Sequence, residues 1–178
     1  MGGNSIMAQF LSICLWVLKQ EDSTMSGTVV NLMDGQGLTR YGIGQQSNPN
    51  LPADFYTKPA AAALNDAVNV YKQTYWNRFQ GDSIVSDQVA SCLLSFSIND
   101  GTSREVRMLQ SCLGVDQDGI MGPVTLTHTN AYSATILAPA LRAAQEDYYR
   151  AVVAEQPTDA RFLAGWLKRA ARIYPSLE

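Results

Sequence analysis

The sequence predicts a mainly α-helical α+β protein with a small β-strand or loop-rich lobe after the first helix. Apolar residues recur at helical spacing through most of the 178 residues. Residues 22–59 are instead rich in Gly, Ser, Asn and Pro, with short β-prone pieces at 27–31 and 38–41. Because this length suits one well-packed domain and is too short for two full-sized ones, we expect one domain over residues 1–178.

The first helix is predicted over residues 7–21. Its apolar residues form two faces, so we expect burial on both sides. One face carries Phe10, Ile13, Cys14 and Val17, and the other carries Leu11, Leu15 and Leu18. No basic region precedes this stretch and no small-residue cleavage site follows it, which argues against a signal peptide. Its apolar part is also too short to span a bilayer.

The later helices are predicted from apolar stripes and from proline and glycine at their ends. A long helix starts at Pro59, with a stripe through Ala61, Leu64, Val68, Tyr71, Tyr75 and Phe79. Two more are expected at about 86–98 and 103–112, the second stopped by Gly114. Pro123 begins another helical segment, and a long helix then lasts until Pro157. The last is expected over 158–175, with Thr158 as its N-cap.

Charge and cysteine usage narrow the class of protein. The net charge of -3 argues against a nucleic-acid partner, because such domains are normally basic. Cys14, Cys92 and Cys112 are an odd number without the spacing of metal ligands. We therefore expect buried free thiols and no framework of disulfides.

Two carboxylic acids and a threonine indicate glycoside cleavage. This reaction needs a proton donor for the leaving oxygen and a second group that attacks the sugar or orients a water. Glu21 follows an apolar stripe, which would keep it protonated, whereas Asp34 lies among glycines and should stay ionised. Thr39 adds a hydroxyl to hold the attacking water. By composition alone, a glutamate at a helix end is more often a solvated cap.

The order of these residues is specific. Glu21 followed by the run 34–43 resembles glycoside hydrolase family 108, a family of bacterial and phage N-acetylmuramidases. Its members show Glu-Gly-Gly, then Asp-Pro-Gly-Gly-x-Thr-x-Tyr-Gly-Ile. The positions that match in register are Asp34, Gly37, Thr39, Tyr41, Gly42 and Ile43. The resemblance implies a lysozyme-like α+β fold and cleavage of the MurNAc-GlcNAc bond of peptidoglycan. Glu21 would be the acid, Asp34 the base or charge stabiliser and Thr39 the water-positioning residue.

The resemblance extends over most of the chain. Tyr71, Tyr75 and Trp76 resemble the family's Tyr-x-x-x-Tyr-Trp, and Asn99 to Gly101 resembles its Asn-x-Gly. Leu113-Gly114-Val115, Asp118-Gly119, Gly122-Pro123, Gly165-Trp166 and Arg169 are similar to an adjoining predicted peptidoglycan-binding region. It implies a catalytic region at about 6–100 with a helical peptidoglycan-binding region at about 101–178 packed on it. The residues it implies for substrate binding are Tyr41, Tyr75, Trp76 and Asn99, although spacing alone favours core packing for the aromatic residues.

The chain departs from the family pattern in three places. Asp22-Ser23 replaces the Gly-Gly after the catalytic glutamate, and Gly35-Gln36 replaces Pro-Gly in the aspartate turn. Ser95 stands where the family often has Asp. The carboxylate of Asp22 would raise the pKa of a neighbouring acid, so this position bears most directly on the chemistry.

Other chemistries have weaker support. Asp116, Asp118 and Gly119 lack the later ligands of a calcium loop, so a plain turn is favoured. His128 has no Cys or His neighbour, which disfavours zinc, and Ser95 and Ser97 lack a Gly-x-Ser-x-Gly context. We therefore expect no metal and no cofactor.

The function expected is a muramidase that acts on peptidoglycan in the bacterial periplasm or cell wall. Alternatives on the same fold are a non-catalytic wall-binding module and a lytic transglycosylase. A phage endolysin released by a holin, a secretion-associated muramidase and an exported antibacterial effector all fit a chain without an evident signal peptide. The pI of about 5.1 favours the effector, since many lysozymes use positive charge to approach an anionic wall. An effector would have a cognate immunity protein as a partner, and no membrane insertion is expected.

Overall fold

The fold is taken from a computed structural model, which describes residues 9–21, 23–31, 37–48, 51–172 and 174–175. This part of the chain is mainly helical, with a small antiparallel sheet after the first helix. It is the lysozyme-like α+β class that the sequence predicted. Two compact units are present, residues 10–74 and residues 75–175 together with Gln9.

The first unit contains two helices and a sheet. Helix α1 covers Phe10–Glu21 and buries Ile13, Cys14, Val17 and Leu18. Leu11 is 56% exposed, so burial on both faces is wrong for this end of the helix. The sheet has the order β1-β2-β3, with β1 at Val30–Asn31, β2 at Leu38–Arg40 and β3 at Ile43–Gly44, all antiparallel.

Helix α2 differs from its prediction in length and in phase. It covers Ala60–Thr74, and its buried residues are Ala63, Ala67 and Tyr71, while Ala61 is exposed. Four consecutive alanines at 60–63 give no contrast between faces, so the sequence could not fix the phase. The stripe continues into a separate 3-10 helix, Trp76–Phe79, because the backbone leaves the helical conformation at Tyr75.

The second unit is built from helices. It begins with the 3-10 helices Trp76–Phe79 and Gly81–Ser83, followed by α3 at Asp87–Asp100 and α4 at Thr102–Leu113. Then come α5 at Pro123–Ala131, α6 at Ala134–Glu155, the 3-10 helix Pro157–Asp159 and α7 at Ala160–Ala170. Gly114 ends α4 and Pro123 begins α5, as predicted. Thr158 is not the N-cap of α7, because it lies inside the last 3-10 helix and Asp159 takes that position.

The core of this unit lies among α3, α4 and α6, with α7 packed on α6. Fully buried leucines fill it: Leu93, Leu94, Leu109, Leu137 and Leu141. Phe96, Tyr149 and Ala170 form a further cluster with Trp166 packed against it. One carboxylic acid, Glu105 of α4, is also fully buried there. This burial matters for stability because charge in such a core is disfavoured.

All three cysteines are free, as the sequence predicted. Cys14 and Cys92 are buried and Cys112 is half-buried. Burial raises the pKa of the Cys14 and Cys92 thiols to about 12 and also raises the pKa of Cys112.

Among the described residues, no helix is both long enough and apolar enough to cross a bilayer.

Candidate active site

The hairpin of β2 and β3 carries Thr39 and ends in a two-residue turn. Tyr41 and Gly42 form this turn with φ angles of 51° and 73°. Two consecutive positive φ angles between paired strands define a type I′ turn, whose twist matches the strands that it joins. Gly42 takes this conformation without strain, whereas a residue with a Cβ there costs about 1–2 kcal/mol. The Tyr-Gly pair of the motif therefore sets the shape of the hairpin.

Tyrosine hydroxyls hold the turn in place from two sides. The Tyr41 hydroxyl donates to the Ala60 carbonyl at 3.2 Å, and the Tyr71 hydroxyl donates to the Tyr41 carbonyl at 2.9 Å. Tyr56 donates to the carbonyl of Ile43 at 3.1 Å. These bonds offset the strain at Tyr41, since each net hydrogen bond contributes roughly 0.5–1.5 kcal/mol. The hairpin is thus fixed to α2 and to the loop before it.

Arg40 anchors the same strand through three backbone carbonyls. Its Nε donates to Gly27 at 2.7 Å, and its Nη1 donates to Phe55 and to Lys58, each at 2.8 Å. The side chain is buried, and no acidic partner lies on it within the part of the chain that the structure describes. Because a planar guanidinium bonds several acceptors at fixed angles, Arg40 joins the loops at 27 and 55–58 to β2.

Gly27 is required by the close approach of the Tyr41 ring. A Cβ at position 27 would lie 2.4 Å from the Tyr41 hydroxyl oxygen, and the residue has a φ of +62°. Neither the space nor the backbone conformation suits another residue. Sequence reasoning identified neither Gly27 nor Arg40 as important for the site. The available signal was the position of Arg40 between two residues that match the motif.

Thr39 is the one of the three predicted catalytic residues whose side-chain surroundings the structure describes. It pairs with Val30 of β1 and Gly44 of β3 and is half-buried. Since side chains alternate along a strand, Thr39 lies on the opposite face of the sheet from the buried Arg40. Within the described residues, its hydroxyl has no hydrogen-bond partner. A hydroxyl that has no hydrogen-bond partner among the described residues, on a strand held in place, can bind a water.

The two carboxylic acids lie at the edge of the described region. Helix α1 ends at Glu21, one turn after the buried Val17, but the Glu21 side chain lies outside what the structure describes. Asp34 and the neighbouring Asp22 also lie outside it. The roles assigned to Glu21 and Asp34 therefore stay predictions.

The residues predicted to bind substrate differ in exposure. Tyr41 is 3% exposed and Trp76 is 0% exposed, with the indole Nε1 donating to Asp82 Oδ1 at 2.8 Å. Tyr75 is half-buried, and its pKa is raised by desolvation. Asn99 is exposed, and its Oδ1 accepts from Arg169 Nη1 at 2.7 Å. These contacts give Tyr41, Trp76 and Asn99 a role in packing or in joining helices, and substrate binding stays a prediction.

The turn at 116–122 is closed by the side chain of Gln110. Its Nε2 donates to Asp118 Oδ1 at 2.7 Å and to Thr125 Oγ1 at 3.1 Å, while its Oε1 accepts from the Gly119 N–H. The Gln110 bond, followed by a bond from the Ile120 N–H, lowers the pKa of Asp118. One hydrogen-bond network thus joins Gln110 of α4 to the Asp118-Gly119 pair of the motif. Among the described residues, no three His, Cys, Asp or Glu side chains group as metal ligands would.

Comparison with known proteins agrees with this architecture. Residues 16–101 match the family described as Glycosyl hydrolase 108. Residues 104–171 match the Predicted Peptidoglycan domain. The first matched region thus contains the second half of α1, the sheet, α2 and α3, and the second matched region follows directly.

A solved structure is similar to the fold over nearly the whole chain. The structure of Brucella abortus SagA is similar with a TM-score of 0.70 and 26% sequence identity. The likeness covers 92% of this chain and 90% of that one. No curated protein matches the chain. Residues 16–101 thus match the glycosyl hydrolase 108 model and residues 104–171 the predicted peptidoglycan domain, in agreement with the resemblance drawn from the motifs.

Proposed function

We propose that this protein is a muramidase that hydrolyses the β-1,4 bond between N-acetylmuramic acid and N-acetylglucosamine in peptidoglycan. The observation that carries the proposal is the coincidence of the glycosyl hydrolase 108 match with the Glu21, Asp34 and Thr39 series. The adjoining peptidoglycan region supports the choice of substrate.

Each residue has a separate chemical task. Glu21 protonates the leaving glycosidic oxygen, and Asp34 acts as a base or stabilises the positive charge that develops on the sugar. Thr39 holds the attacking water through its hydroxyl. This last role is supported by the position of Thr39 on a strand fixed by Arg40, because a water-binding group must be held in place to be effective.

The test is turnover of purified cell wall by the Glu21→Gln variant. The amide cannot donate the proton, so release of reducing sugars should fall by about a hundredfold or more. Asp22→Asn is the matched control, because it removes the adjacent carboxylate and should retain turnover. Near-normal activity of Glu21→Gln, assayed across the pH range, would overturn the assignment.

Product analysis separates the alternatives. Hydrolysis gives a reducing sugar with a water added, whereas a lytic transglycosylase gives an anhydro-sugar that is one water lighter. Mass spectrometry of soluble fragments distinguishes the two. Sedimentation of the wild-type protein with insoluble peptidoglycan, without soluble fragments at any pH, would instead identify a wall-binding module.

The proposed setting is that of an exported antibacterial effector acting in the periplasm or cell wall. The acidity of the chain, with a pI of about 5.1, supports it. An effector needs a neutralising immunity protein in the cell that makes it. Co-purification of the product of a neighbouring gene tests this, and a chain that purifies alone and lyses its host only with a holin would instead be an endolysin.

A further inference from the structure

A pocket of about 230 Å³ lies within the second unit, between α3, α6 and Tyr174. Its inner wall is apolar and buried, formed by Cys92, Ala138 and Tyr174. Pockets that enclose drug-sized ligands are larger, about 300–1,000 Å³. This volume therefore suits the end of a small molecule or chain and is too small for a run of sugar rings.

Arg142 gives the pocket its charge. Among the described residues that line it, Arg142 alone is charged, since burial keeps the Cys92 thiol neutral by raising its pKa to about 12. The Arg142 Nε donates to the carbonyl of Ala170 at 3.0 Å, which fixes the guanidinium. Within the described residues, its two terminal nitrogens have no hydrogen-bond or ion-pair partner. A guanidinium held in this way is arranged to receive a carboxylate through two parallel hydrogen bonds.

Pro139 leaves a backbone acceptor on the same helix as Arg142. It lies inside α6 and has no N–H, so the carbonyl of Thr135, one turn earlier, loses its regular helical donor. Both residues line the pocket, as does Gln88, whose amide can donate or accept. The wall therefore combines a cation for an anion with an acceptor for an N–H group, on an apolar floor.

We propose that this pocket binds the free carboxylate end of a short peptide. Arg142 pairs with the carboxylate, the Thr135 carbonyl accepts from a peptide N–H, and a small apolar side chain lies against Ala138 and Tyr174. The source of the peptide rests on the proposed function, since peptidoglycan carries short peptide stems that end in a carboxylate. The pocket would give the second unit contact with the peptide part of the wall, separate from the glycan chemistry of Glu21.

The first test uses the wild-type full-length protein and two probes. N-acetyl-D-alanyl-D-alanine carries the carboxylate, and its C-terminal amide has the same shape without the charge. NMR titration should show the acid binding at least tenfold more tightly, because hydrogen bonds to charged groups contribute about 1.5–3 kcal/mol. The amides of Gln88, Ala138 and Arg142 should shift most. Equal binding of both probes, binding of neither, or shifts away from α3 and α6 would overturn the proposal.

The second test uses variants of helix α6. Arg142→Gln should weaken binding of the acid about tenfold and leave binding of the amide unchanged. Arg150→Gln is the matched control, because Arg150 is exposed on the same helix and pairs with Glu146 and Asp147. If Arg142→Gln does not fold, the proposal is decided by two other measurements. These are binding of the acid by Gln88→Ala and the comparison of the two probes on the wild type. Full binding of the acid by a folded Arg142→Gln would refute the proposal.

The result of the peptide-binding tests is independent of the hydrolase assignment. Glycan strands freed of their peptides test hydrolysis by the wild type alone, and the peptide titration tests the pocket alone. Peptide binding without hydrolysis would overturn the muramidase and leave the pocket. Hydrolysis without discrimination between the two peptides would do the reverse.

Discussion

Replacement of the buried Glu105 by glutamine should make the protein more stable at neutral pH. Glu105 is 0% exposed, and its Oε1 accepts a hydrogen bond from Gln145 Nε2 at 2.8 Å. Its Oε2 has no partner among the described residues. Burial raises the pKa of this carboxyl well above its ordinary value of 4.5, and the nearby charge of Asp100 raises it further, against the opposing effect of the Gln145 bond.

The sign and size of the effect follow from proton linkage. Above pH 4.5 the unfolded chain releases the Glu105 proton while the folded chain keeps it, so stability falls as pH rises towards the folded pKa. The loss is about 1.4 kcal/mol per pH unit. About two units above the unfolded pKa, near pH 6.5, the wild type has lost up to about 3 kcal/mol. Glutamine has the shape of the protonated acid and no proton to lose, so Glu105→Gln avoids this loss.

Urea unfolding followed by tryptophan fluorescence measures the difference. We expect equal free energies of unfolding for the variant and the wild type at about pH 4, and a gap that widens to as much as about 3 kcal/mol near pH 6.5. Glu155→Gln, at the exposed end of α6, is the control and should follow the wild type. Parallel curves for Glu105→Gln and the wild type, or a variant that is less stable at every pH, would refute this reasoning.

Three other substitutions test the hairpin and the acid. Arg40→Lys should lower the free energy of unfolding by about 2 kcal/mol, because an ammonium cannot keep all three carbonyl bonds; unchanged urea unfolding would contradict the anchoring role. Gly27→Ala should destabilise by about 1–3 kcal/mol through its φ of +62° and the Tyr41 clash, measured as a lower Tm. Asp22→Asn removes the carboxylate that follows Glu21, the proposed general acid, in the sequence, and loss of a neighbouring like charge should favour the ionised form of that acid. In the pH profile of wall hydrolysis by this variant, the limb where activity falls with rising pH should move to lower pH. An unmoved limb would show that the two carboxylates do not interact.

The helix ends were predictable where one residue decides them. Proline at 123 and glycine at 114 act through their own backbone preferences, and the structure places helix ends at both. The end of α2 was not predictable in this way, because the apolar stripe continues past Thr74 without a break. The chain turns there to bury Trp76, which packs closely on Gly81 and bonds to Asp82. Such a contact leaves no periodic signal.

The sequence of the candidate site showed its motif, but it did not show which residues hold the hairpin in place. The matching residues Thr39, Tyr41 and Gly42 lie in one hairpin, and its turn at Tyr41-Gly42, which needs positive φ angles, was not predicted. The partners of Arg40 are backbone carbonyls at positions 27, 55 and 58, and a carbonyl has the same chemistry in every residue. Sequence therefore cannot name them.

The boundary between the compact units, at 74/75, also differs from the boundary near 101–104 between the matched regions, since α3 packs against the later helices.

The state of the three cysteines bears on where this protein can fold. Disulfide exchange requires a thiolate, and the raised pKa values of Cys14, Cys92 and Cys112 leave little thiolate at neutral pH. Glutathione and oxidising catalysts therefore find little reactive thiolate in the folded chain. The same native structure can therefore persist in reducing and oxidising surroundings alike, as the proposed export to the cell wall would require.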